Sequence, residues 1–378
     1  MPVRVAINGF GRIGRNFLRA ALASEADLDV VALNDLASIE SNAHLLRYDS
    51  SYGRLAAGVE VHDGAIKVGR MAVRVLSESS PELLPWRELG VDVVIESTGR
   101  FTSRDRAAVH LGAGAKRVII SAPAADADTT LVMGVNDMDF DPDHHFVVSN
   151  ASCTTNCFVP MVKVLDDAFG VRHGLMTPVH AYTNDQNLLD LTHKDLRRSR
   201  AAAVNIVPAS TGAARATSLV LSAMKGRLDG TALRVPVPVG SITDFTALVV
   251  GELTAGDVNE AFRAAALSGP LEHVLDYTDE PVVSSDIVGS PASCTFDSAM
   301  TMTMNVGALA PGDAGGGGDH SSGGPPVPTT LAATLVKVFG WYDNEWGYSN
   351  RLVDAALLVG GALAGGGAPA GKAQSQDR

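Results

Sequence analysis

The feature that most constrains the fold of this chain is a glycine-rich run placed directly after a short apolar strand pattern. The apolar run VRVAIN occupies residues 3–8, and a GxGxxG run at residues 9–14 opens a helical pattern. Glycines there allow a tight turn and a close approach of the backbone to a pyrophosphate, which then lies at a helix N-terminus. The pattern predicts a dinucleotide site whose contacts in this run are Gly9, Gly11, Arg12, Ile13 and Gly14.

Asp35 directly follows the second predicted strand, VVALN at residues 30–34, and stands about twenty residues beyond the glycine run. A carboxylate at this point accepts hydrogen bonds from both adenosine ribose hydroxyls and repels a 2′-phosphate. The combination therefore predicts NAD as the cofactor. A glycine-rich turn without a ligand is the alternative that the motif by itself leaves open.

The rhythm of apolar runs predicts two kinds of sheet. In the first half, β-branched apolar runs at residues 91–97, 116–122 and 145–150 alternate with helical stretches, which indicates βαβ units and a parallel sheet. From about Gly174 the runs lengthen and become amphipathic, which favours a mostly antiparallel sheet covered by helices. A chain of 378 residues, 46% of them hydrophobic, is long enough for two packed domains. The predicted fold class is α/β, with a Rossmann-type doubly wound NAD domain and a second, α+β domain.

Composition and charge exclude several classes of protein. No apolar run approaches the length that spans a bilayer, and the start of the chain turns glycine-rich where a signal peptide would stay apolar. A net charge of −12 argues against a nucleic-acid partner, and three cysteines in so long a chain form no disulfide framework. We expect a soluble cytoplasmic protein with reduced thiols. Two segments rich in Gly, Pro, Ala and Ser, at residues 306–330 and 361–378, are expected to be flexible.

Cys153 stands alone between hydroxyl residues in the stretch SNASCTTNC, at the start of a helical pattern for which Ser152 is suited as N-cap. In the first turn of a helix, the helix dipole favours a thiolate and lowers its pKa. His180, on a predicted neighbouring strand, is the candidate base, although a lone histidine in a strand is more often structural. The CxxxC spacing with Cys157 lacks further ligands and predicts no metal site. Cys157 is expected to pack on the inner face of the helix.

Five longer motifs carry a resemblance to a known family. They are SNASCTTNC, HAYTNDQ, HKDLRRSRAAAVNIVPASTGAA, LRVPVPVGSITD and WYDNEWGYSNR, in this order along the chain. Together they make the chain resemble phosphorylating glyceraldehyde-3-phosphate dehydrogenase of the bacterial type, from residue 3 to about residue 360. The resemblance implies an NAD domain at residues 1–152 completed by a C-terminal helix at 347–360, a catalytic domain at 153–346, and a homotetramer.

The resemblance also implies roles for single residues. Cys153 matches the nucleophile, which forms a thiohemiacetal with the aldehyde and then a thioester after hydride transfer to NAD. His180 matches the base that also steadies the oxyanion. Asn344 matches the residue that holds the nicotinamide carboxamide, and Ser121 lies where the family contacts the cofactor. Inorganic phosphate then releases the acyl group as 1,3-bisphosphoglycerate.

Two phosphate groups held side by side in an acidic protein require local arginines and hydroxyls. The resemblance matches Thr183 and Arg234 to the site of the substrate's own phosphoryl group. Arg198 belongs to the basic cluster LRRSRAA, for which a solvated surface loop is the alternative, and Asp185 and Asp195 are expected to orient its arginines. The implied site for the attacking phosphate consists of Ser152, Thr154, Arg198, Thr211 and Gly212.

Three departures from the family pattern bear on the cofactor and the fold. Thr192 follows Leu191 where NAD-specific relatives usually have proline, and its hydroxyl could donate to a 2′-phosphate. Because the Asp35 carboxylate opposes that phosphate more strongly, we expect NAD first and NADP as a secondary cofactor. Ser79 stands where relatives often carry a basic residue near the adenine. The insertion at residues 306–330 replaces a short hairpin, and a long loop adds little closure entropy.

Two other functions remain open from the sequence. Erythrose-4-phosphate dehydrogenase shares the fold, the cysteine and the histidine, but its phosphate-binding segments usually differ from VPASTGAA and HAYTNDQ. A non-catalytic NAD-binding scaffold protein is the alternative from another class. A degenerate enzyme would first lose the nucleophile, the base or the phosphate ligands, and all of these are present.

Overall fold

The computed structural model describes residues 1–309 and 331–364. Its α-helices are α1 (Arg12–Ala23), α2 (Ile39–Arg47), α3 (Arg104–Ala107), α4 (Val109–Gly112), α5 (Cys153–Phe169), α6 (Ala213–Val220), α7 (Ala255–Leu267) and α8 (Trp346–Ala364). Its strands are β1 (Val3–Asn8), β2 (Leu28–Asn34), β3 (Tyr48–Asp49), β4 (Gly53–Arg54), β5 (Val59–His62), β6 (Ala65–Val68), β7 (Met71–Leu76), β8 (Val93–Glu96), β9 (Arg117–Ile120), β10 (Thr129–Thr130), β11 (Val147–Ser149), β12 (Val171–Ala181), β13 (Val207–Ser210), β14 (Leu228–Val235), β15 (Ser241–Val250), β16 (Leu275–Thr278), β17 (Cys294–Asp297), β18 (Met302–Leu309) and β19 (Leu331–Tyr342). Among the described residues, no helix combines the length and the apolar character needed to cross a membrane.

The first half of the chain forms a nine-stranded sheet in the order β10-β11-β9-β8-β1-β2-β7-β6-β5. Its strands are parallel from β10 to β7, and β5, β6 and β7 add an antiparallel edge. The strand order reverses beside β1, between its neighbours β2 and β8. This topological switch point is where doubly wound folds bind nucleotides. The predicted doubly wound sheet is confirmed.

Both faces of this sheet are covered, which explains why four of the six residues of its central strand β1 are apolar. Val5 and Ile7 of β1 point into one apolar cluster together with residues of α1 and α8. Ala6, between them, belongs to a second cluster on the opposite face, where Trp86 lies. All four side chains are completely buried.

The second half of the chain forms a mixed sheet in the order β13-β14-β12-β15-β19-β17-β16, with β18 also paired to β19. Most neighbours are antiparallel, and β12–β14 and β16–β17 are parallel. Burial alternates residue by residue along β15, as expected of an amphipathic strand. Helix α5 packs on the apolar face, where the Phe158 and Phe245 rings meet edge to face at 4.8 Å between centroids. The predicted, mostly antiparallel sheet with helices on it is confirmed.

The C-terminal helix α8 returns to the first sheet. Leu352, Ala356 and Val359 are fully buried in the same cluster as β1. Gly360 allows a very close approach, because a Cβ at this position would lie 2.1 Å from Cγ1 of Val3. The helix predicted at residues 347–360 is therefore present and packs as expected, while the division of the chain into domains at residue 152 stays a prediction.

The first residues of both segments that were predicted to be flexible belong to regular secondary structure. Strand β18 continues to Leu309, which pairs with Leu331 of β19, so residues 306–309 have their backbone groups in a sheet. Helix α8 continues to Ala364, since the residues after 360 are mostly alanine and leucine, which favour helix. The rest of both predicted segments, residues 310–330 and 365–378, lies outside the described residues.

The contact of α8 with β1 predicts an effect of mutation on stability. Replacing Gly360 by alanine should lower the free energy of unfolding by about 1–3 kcal/mol, because the new methyl group overlaps Val3. Gly361→Ala is the matched control: Gly361 is exposed, has no atom within 4 Å of its would-be Cβ, and should be neutral or gain up to about 1 kcal/mol of helix propensity. Urea denaturation of both variants measures the difference. Equal stabilities would show that α8 does not lie against Val3.

Candidate active site

The glycine run forms a tight turn between β1 and α1. Gly9 has φ +93°, and a Cβ on it would lie 2.6 Å from the backbone nitrogen of Thr98. A Cβ on Gly14 would lie 2.2 Å from the carbonyl oxygen of Gly9, so the turn itself requires both glycines. Gly11 differs, because nothing lies within 4 Å of its would-be Cβ. It leaves open space beside the first turn of α1, which has no side-chain cap, as a phosphate site requires.

A groove of about 290 Å³ runs along the carboxyl ends of β1 and β2, lined by Gly9, Gly11 and Asp35 among others. The half-buried Asp35 carboxylate is fixed by two backbone donors: Phe10 N at 2.8 Å and Ala37 N at 2.9 Å, one on each oxygen. Each oxygen keeps a lone pair for a ribose hydroxyl. The residues present therefore fit a dinucleotide. Ser79 also lines the groove.

Arg12 and Ile13 differ from the glycines in how they face the groove. The Arg12 guanidinium is paired with the carboxylates of Asp49 and Glu345, with Nε 2.9 and 3.0 Å from the Glu345 oxygens. Burial alone would lower the pKa of Arg12, but these two carboxylates raise it above its ordinary value. Ile13 packs against the first apolar cluster. The main-chain N–H groups of both residues lie in the first turn of α1, where a phosphate can accept from them.

The predicted nicotinamide contact Asn344 and the predicted cofactor contact Ser121 both lie just beyond strand ends. Asn344, which is buried, follows β19, and its Oδ1 accepts a hydrogen bond from Ser241 Oγ at 3.0 Å. Ser241 Oγ in turn accepts from Ala181 N at 3.0 Å, next to the candidate base. Ser121 follows β9 and is half-buried. The side chain of Asn344 is thus held with its carbonyl engaged and its amide N–H₂ left to donate.

Cys153 is the first residue of α5 and is half-buried. Ser152 caps the helix through its Oγ, which accepts from Thr155 N at 3.0 Å, so the predicted N-cap is confirmed. The Cys153 Sγ lies 3.4 Å from Nε2 of His180, which stands near the end of β12. The structure therefore brings the candidate nucleophile and the candidate base into direct contact.

The other ring nitrogen of His180 decides which nitrogen carries the proton. We assign the ring proton of His180 to Nδ1, which lies 2.7 Å from the carbonyl oxygen of Ala181 and donates to it. Arg234 Nη1, 3.0 Å from the same nitrogen, donates to that carbonyl at 3.0 Å. Nε2 then presents its lone pair to the thiol of Cys153, which is the arrangement of a general base.

Burial shifts the pKa values of Cys153 and His180 in opposite directions. It raises the pKa of the Cys153 thiol to about 11, although the Arg234 charge and the backbone N–H groups of the first helical turn oppose the shift. Burial, followed by the Arg234 charge, lowers the pKa of His180 to about 3. The N–H groups at the helix N-terminus lower the thiol pKa, as the sequence predicts, but burial, which the sequence does not show, outweighs them. Both shifts favour the uncharged forms, a thiol and a neutral imidazole.

Of the predicted phosphate ligands, the structure brings some together and leaves others apart. Arg198 is paired with the carboxylates of Asp185 and Asp195, as expected. Its charge lies near enough to Arg234 to contribute to lowering that residue's pKa, after burial as the main cause. Arg200 is exposed and pairs with Asp190 at 3.0 Å. The charge of Arg234 therefore acts on the thiol directly, and that of Arg198 acts on Arg234.

The hydroxyl and glycine candidates have local partners. Thr154 Oγ1 shares a hydrogen bond of 3.0 Å with the hydroxyl of Tyr342, and Thr211 Oγ1 accepts from Ala213 N at 3.2 Å. Gly212 caps α6 with open space at its would-be Cβ, much as Gly11 does for α1. Thr183 is half-buried and lies at the start of the loop that follows β12. Of these groups, Thr154 also contacts the nucleophile, because hydrogen bonds from its backbone and from its side chain lower the pKa of the Cys153 thiol.

Sequence reasoning missed three residues at the nucleophile. The ring of Tyr342 stands edge-on to His180 at 5.9 Å between centroids, and the hydroxyl of Tyr348 donates to Ala151 O at 3.0 Å. Ala151 has φ +54°, a left-handed conformation uncommon for a residue with a side chain. Both tyrosines belong to the motif WYDNEWGYSNR and could have been singled out there. An alanine carries no sequence signal for such a turn.

A nucleotide groove at a switch point, in a chain that also holds a thiol in contact with an imidazole, is typical of a dinucleotide-dependent dehydrogenase that works through a cysteine. Family models for glyceraldehyde 3-phosphate dehydrogenase match residues 3–104 as its NAD binding domain and residues 152–310 as its C-terminal domain. The chain belongs to the glyceraldehyde-3-phosphate dehydrogenase family. Two relatives bearing that name, from Streptomyces coelicolor and Mycobacterium tuberculosis, are 54% identical over 363 residues and 53% identical over 369. Each alignment covers 96% of this chain and 100% of the relative.

The Cys153–His180 contact predicts how alkylation depends on pH. In wild type the thiol proton moves to His180 without exchange with solvent, so the alkylation rate should vary little across the neutral range. In His180→Asn, the thiolate forms only by loss of a proton to water from a buried thiol, so alkylation at neutral pH should fall by about a hundredfold and rise about tenfold per pH unit. Iodoacetamide labelling followed by mass spectrometry measures both rates.

The same labelling experiment contains its own control. Cys157 and Cys294 are completely buried and should stay unlabelled in both proteins. Equal rates and equal slopes in wild type and His180→Asn would contradict the assigned pairing.

Proposed function

We propose that this enzyme oxidises and phosphorylates D-glyceraldehyde 3-phosphate to 1,3-bisphosphoglycerate, with transfer of a hydride to NAD. The observation that carries the proposal is the contact of 3.4 Å between Cys153 Sγ and His180 Nε2, beside Arg234 and within a chain that has the NAD binding domain of its family. A thiol with a base in reach favours covalent attack on an aldehyde, and the arginine favours an anionic substrate.

The proposed reaction follows from the proton positions in the pair. Cys153 Sγ adds to the aldehyde carbon as Nε2 of His180 accepts the thiol proton and returns it to the new alkoxide, giving a thiohemiacetal. Oxidation removes a hydride from that carbon, and His180 accepts the hydroxyl proton, which leaves a thioester. Phosphate then attacks the thioester carbon, the acyl phosphate leaves, and the Cys153 sulphur recovers its proton from His180. When bound, NAD supplies the acceptor for the hydride.

We assign the two phosphate positions to the groups around this pair. Thr183 and Arg234 hold the phosphoryl group of the substrate, and the positive charge of Arg234 is already next to His180. The attacking phosphate is held by a set that combines two helix N-termini with a second arginine. The set is Ser152, Thr154, Arg198, Thr211 and Gly212.

We assign cofactor contacts to the groove and to the ends of β9 and β19. The pyrophosphate lies against Gly9 to Gly14, with Arg12 and Ile13 contributing main-chain N–H groups, and Asp35 receives the adenosine ribose hydroxyls. Ser121 and Asn344 hold the nicotinamide. Two observations support the arrangement: the open space at Gly11 and the free amide N–H₂ of Asn344.

The surface and the cysteines support two further proposals. The segment between β12 and β13 exposes many large apolar side chains, a pattern typical of a subunit interface, and we propose that it is covered by other copies of this chain in a homotetramer. They are Leu188, Leu189, Leu191, Leu196, Val204 and Ile206. The cysteines Cys153, Cys157 and Cys294 are all free thiols, which favours a reducing compartment, and we propose the cytoplasm.

Erythrose-4-phosphate dehydrogenase is the second candidate, because it would use the same cysteine and histidine. The two activities differ in the length of the aldehyde and not in the chemistry at Cys153. The ratio of kcat/KM for the two aldehydes separates them, and we expect the three-carbon substrate to be favoured. A scaffold protein without catalysis would show no turnover of either aldehyde.

The direct test of the function uses two cysteine variants. Cys153→Ser should abolish the NADH absorbance that forms from aldehyde, NAD and phosphate, because a serine hydroxyl is a far weaker nucleophile. Cys157→Ser should keep most activity, since Cys157 is buried against the carbonyl of Gly340. Without phosphate, wild type should give a single turnover and stop at the thioester. Loss of activity in step with labelling of Cys294 would contradict the assignment of the nucleophile.

Cofactor preference depends on the Asp35 carboxylate. Beside a 2′-phosphate this charge should cost NADP about 1–3 kcal/mol, roughly ten- to a hundredfold in preference for NAD. We expect Asp35→Ala or Asp35→Gly to narrow or invert the preference. Asp35→Asn is the matched control: it removes the charge but keeps an oxygen that can accept from a backbone N–H, as Asp35 now does from Phe10 N and Ala37 N. Thr192→Pro should sharpen the preference by crowding out the phosphate.

The ratio of kcat/KM for NAD and NADP in these variants is the measurement. A wild type that is faster with NADP would place control of the choice in the exposed loop around Thr192 of a neighbouring subunit. An unchanged ratio in the Asp35 variants would lead to the same conclusion.

A further inference from the structure

A chain of buried polar side chains lies beneath the cofactor groove, at the carboxyl ends of three parallel strands. Asn8, Asn34 and Glu96 are the last residues of β1, β2 and β8, and they are 1%, 5% and 2% exposed. Asn34 Nδ2 donates to Asn8 Oδ1 at 2.8 Å, and Asn8 Nδ2 donates to Glu96 Oε2 at 2.6 Å. The hydrogen bonds run across the sheet towards one carboxylate.

Glu96 is the acceptor at which these bonds converge. Its Oε2 also receives His110 Nε2 at 3.0 Å, and its Oε1 receives Thr98 N at 2.9 Å and Thr98 Oγ1 at 2.5 Å. Trp86 Nε1 lies 3.0 Å from His110 Nδ1, and an indole N–H can only donate, so the proton of His110 is on Nε2. His110 is therefore a neutral donor, and every partner of the Glu96 carboxylate is a donor.

The same residues form the walls of the groove. Asn8, Asn34, Glu78 and Thr98 all line it. Glu78 N donates to Asn34 Oδ1 at 2.8 Å, and Asn34 Nδ2 donates to Glu78 O at 2.9 Å. The would-be Cβ of Gly9 lies 2.6 Å from Thr98 N, so the turn after β1 and the turn after β8 are already in contact. A displacement of Glu96 would therefore displace several of the residues that line the groove.

Packing alone does not require a charge at this place. Apolar side chains could fill the space under the strand ends without the desolvation cost of a buried carboxylate. A buried network in which every group is satisfied instead specifies a single arrangement of the elements that it joins. The buried carboxylate lies where the backbone must be placed accurately, beside a pyrophosphate.

We propose that Glu96 and His110 are positioning residues for the dinucleotide. They fix the glycine turn at Gly9, the turn at Thr98 and the segment at Glu78 relative to one another, and so set the shape of the groove without touching its ligand. The inference rests on the proposed use of this groove for NAD.

Glu96→Gln is the sharpest test, because it keeps the shape of the side chain. The glutamine oxygen can still accept from Thr98, but its N–H₂ group then faces the N–H groups of Asn8 and His110. The dissociation constant for NAD, measured by calorimetry, should rise about tenfold or more. The KM for NAD should rise in step, while kcat at saturating NAD and the KM for the aldehyde should stay close to wild type.

A second pair of variants addresses His110 and covers the case in which Glu96→Gln fails to fold. His110→Leu removes one of the four donors and leaves Trp86 without an acceptor, and it should also weaken NAD binding. His110→Gln can donate to Glu96 and accept from Trp86, and it should restore much of the affinity. Equal NAD affinity of wild type, His110→Leu and His110→Gln would overturn the proposal.

Thr334→Val is the matched control for general loss of stability. Thr334 is fully buried in the second sheet, donates to Gly251 O at 2.7 Å and accepts from Leu253 N at 3.1 Å. Its replacement should lower the melting temperature and leave the NAD affinity unchanged. A Glu96→Gln enzyme that loses stability and kcat but keeps its NAD affinity would make the role purely structural and overturn the inference.

Wild type separates this inference from the proposed function. If wild type does not bind NAD in the same titration, the proposed function fails and the inference fails with it. If wild type binds NAD and the variants bind it equally well, only the inference fails.

Discussion

The chemistry of this protein depends on how firmly the first turn of α5 is held. Cys153 is the first residue of that helix, and it packs against both the cluster under the first sheet and the cluster under the second. Further along the helix, Phe158 and Val162 are completely buried. A helix anchored in this way keeps the thiol fixed relative to the nucleotide groove on one side and to His180 on the other. Such support from rigid elements is what a reactive pair needs.

Burial gives the reactive pair its properties. Removal of water raises the pKa of Cys153 and lowers that of His180, so burial favours the uncharged form of each. Transfer of the proton between them then creates two opposite charges 3.4 Å apart in surroundings where attraction is strong. Arg234 lies against His180 and adds positive charge beside the sulphur. In a chain of net charge −12, the cations that an anionic substrate needs are thus concentrated at the nucleophile.

How much the sequence could predict differs between local and long-range features. The turn at Gly9 and the helix from Cys153 could be predicted, because glycines after a strand and an N-cap serine are local signals. The residues alone made His180 a candidate base for Cys153, and the resemblance was needed to favour it over a structural histidine, since the two residues lie on different elements. The left-handed Ala151 and the buried Glu96 leave no trace in spacing or composition, because tertiary packing alone imposes them. The raised thiol pKa was missed for the same reason: burial cannot be read from a helix position.

The insertion before β19 lies far from the site along the chain of that strand, and this distance explains why the site can accommodate it. Residues 310–330 join β18 to β19 at the Leu331 end, where Leu309 pairs with Leu331. Tyr342, which contacts Thr154 and His180, is at the opposite end of that strand. Eleven steps of strand separate the two ends by about 36 Å. Ten register pairs between β15 and β19 hold the strand along this length, so the position of Tyr342 is fixed by the sheet and not by the segment that precedes it.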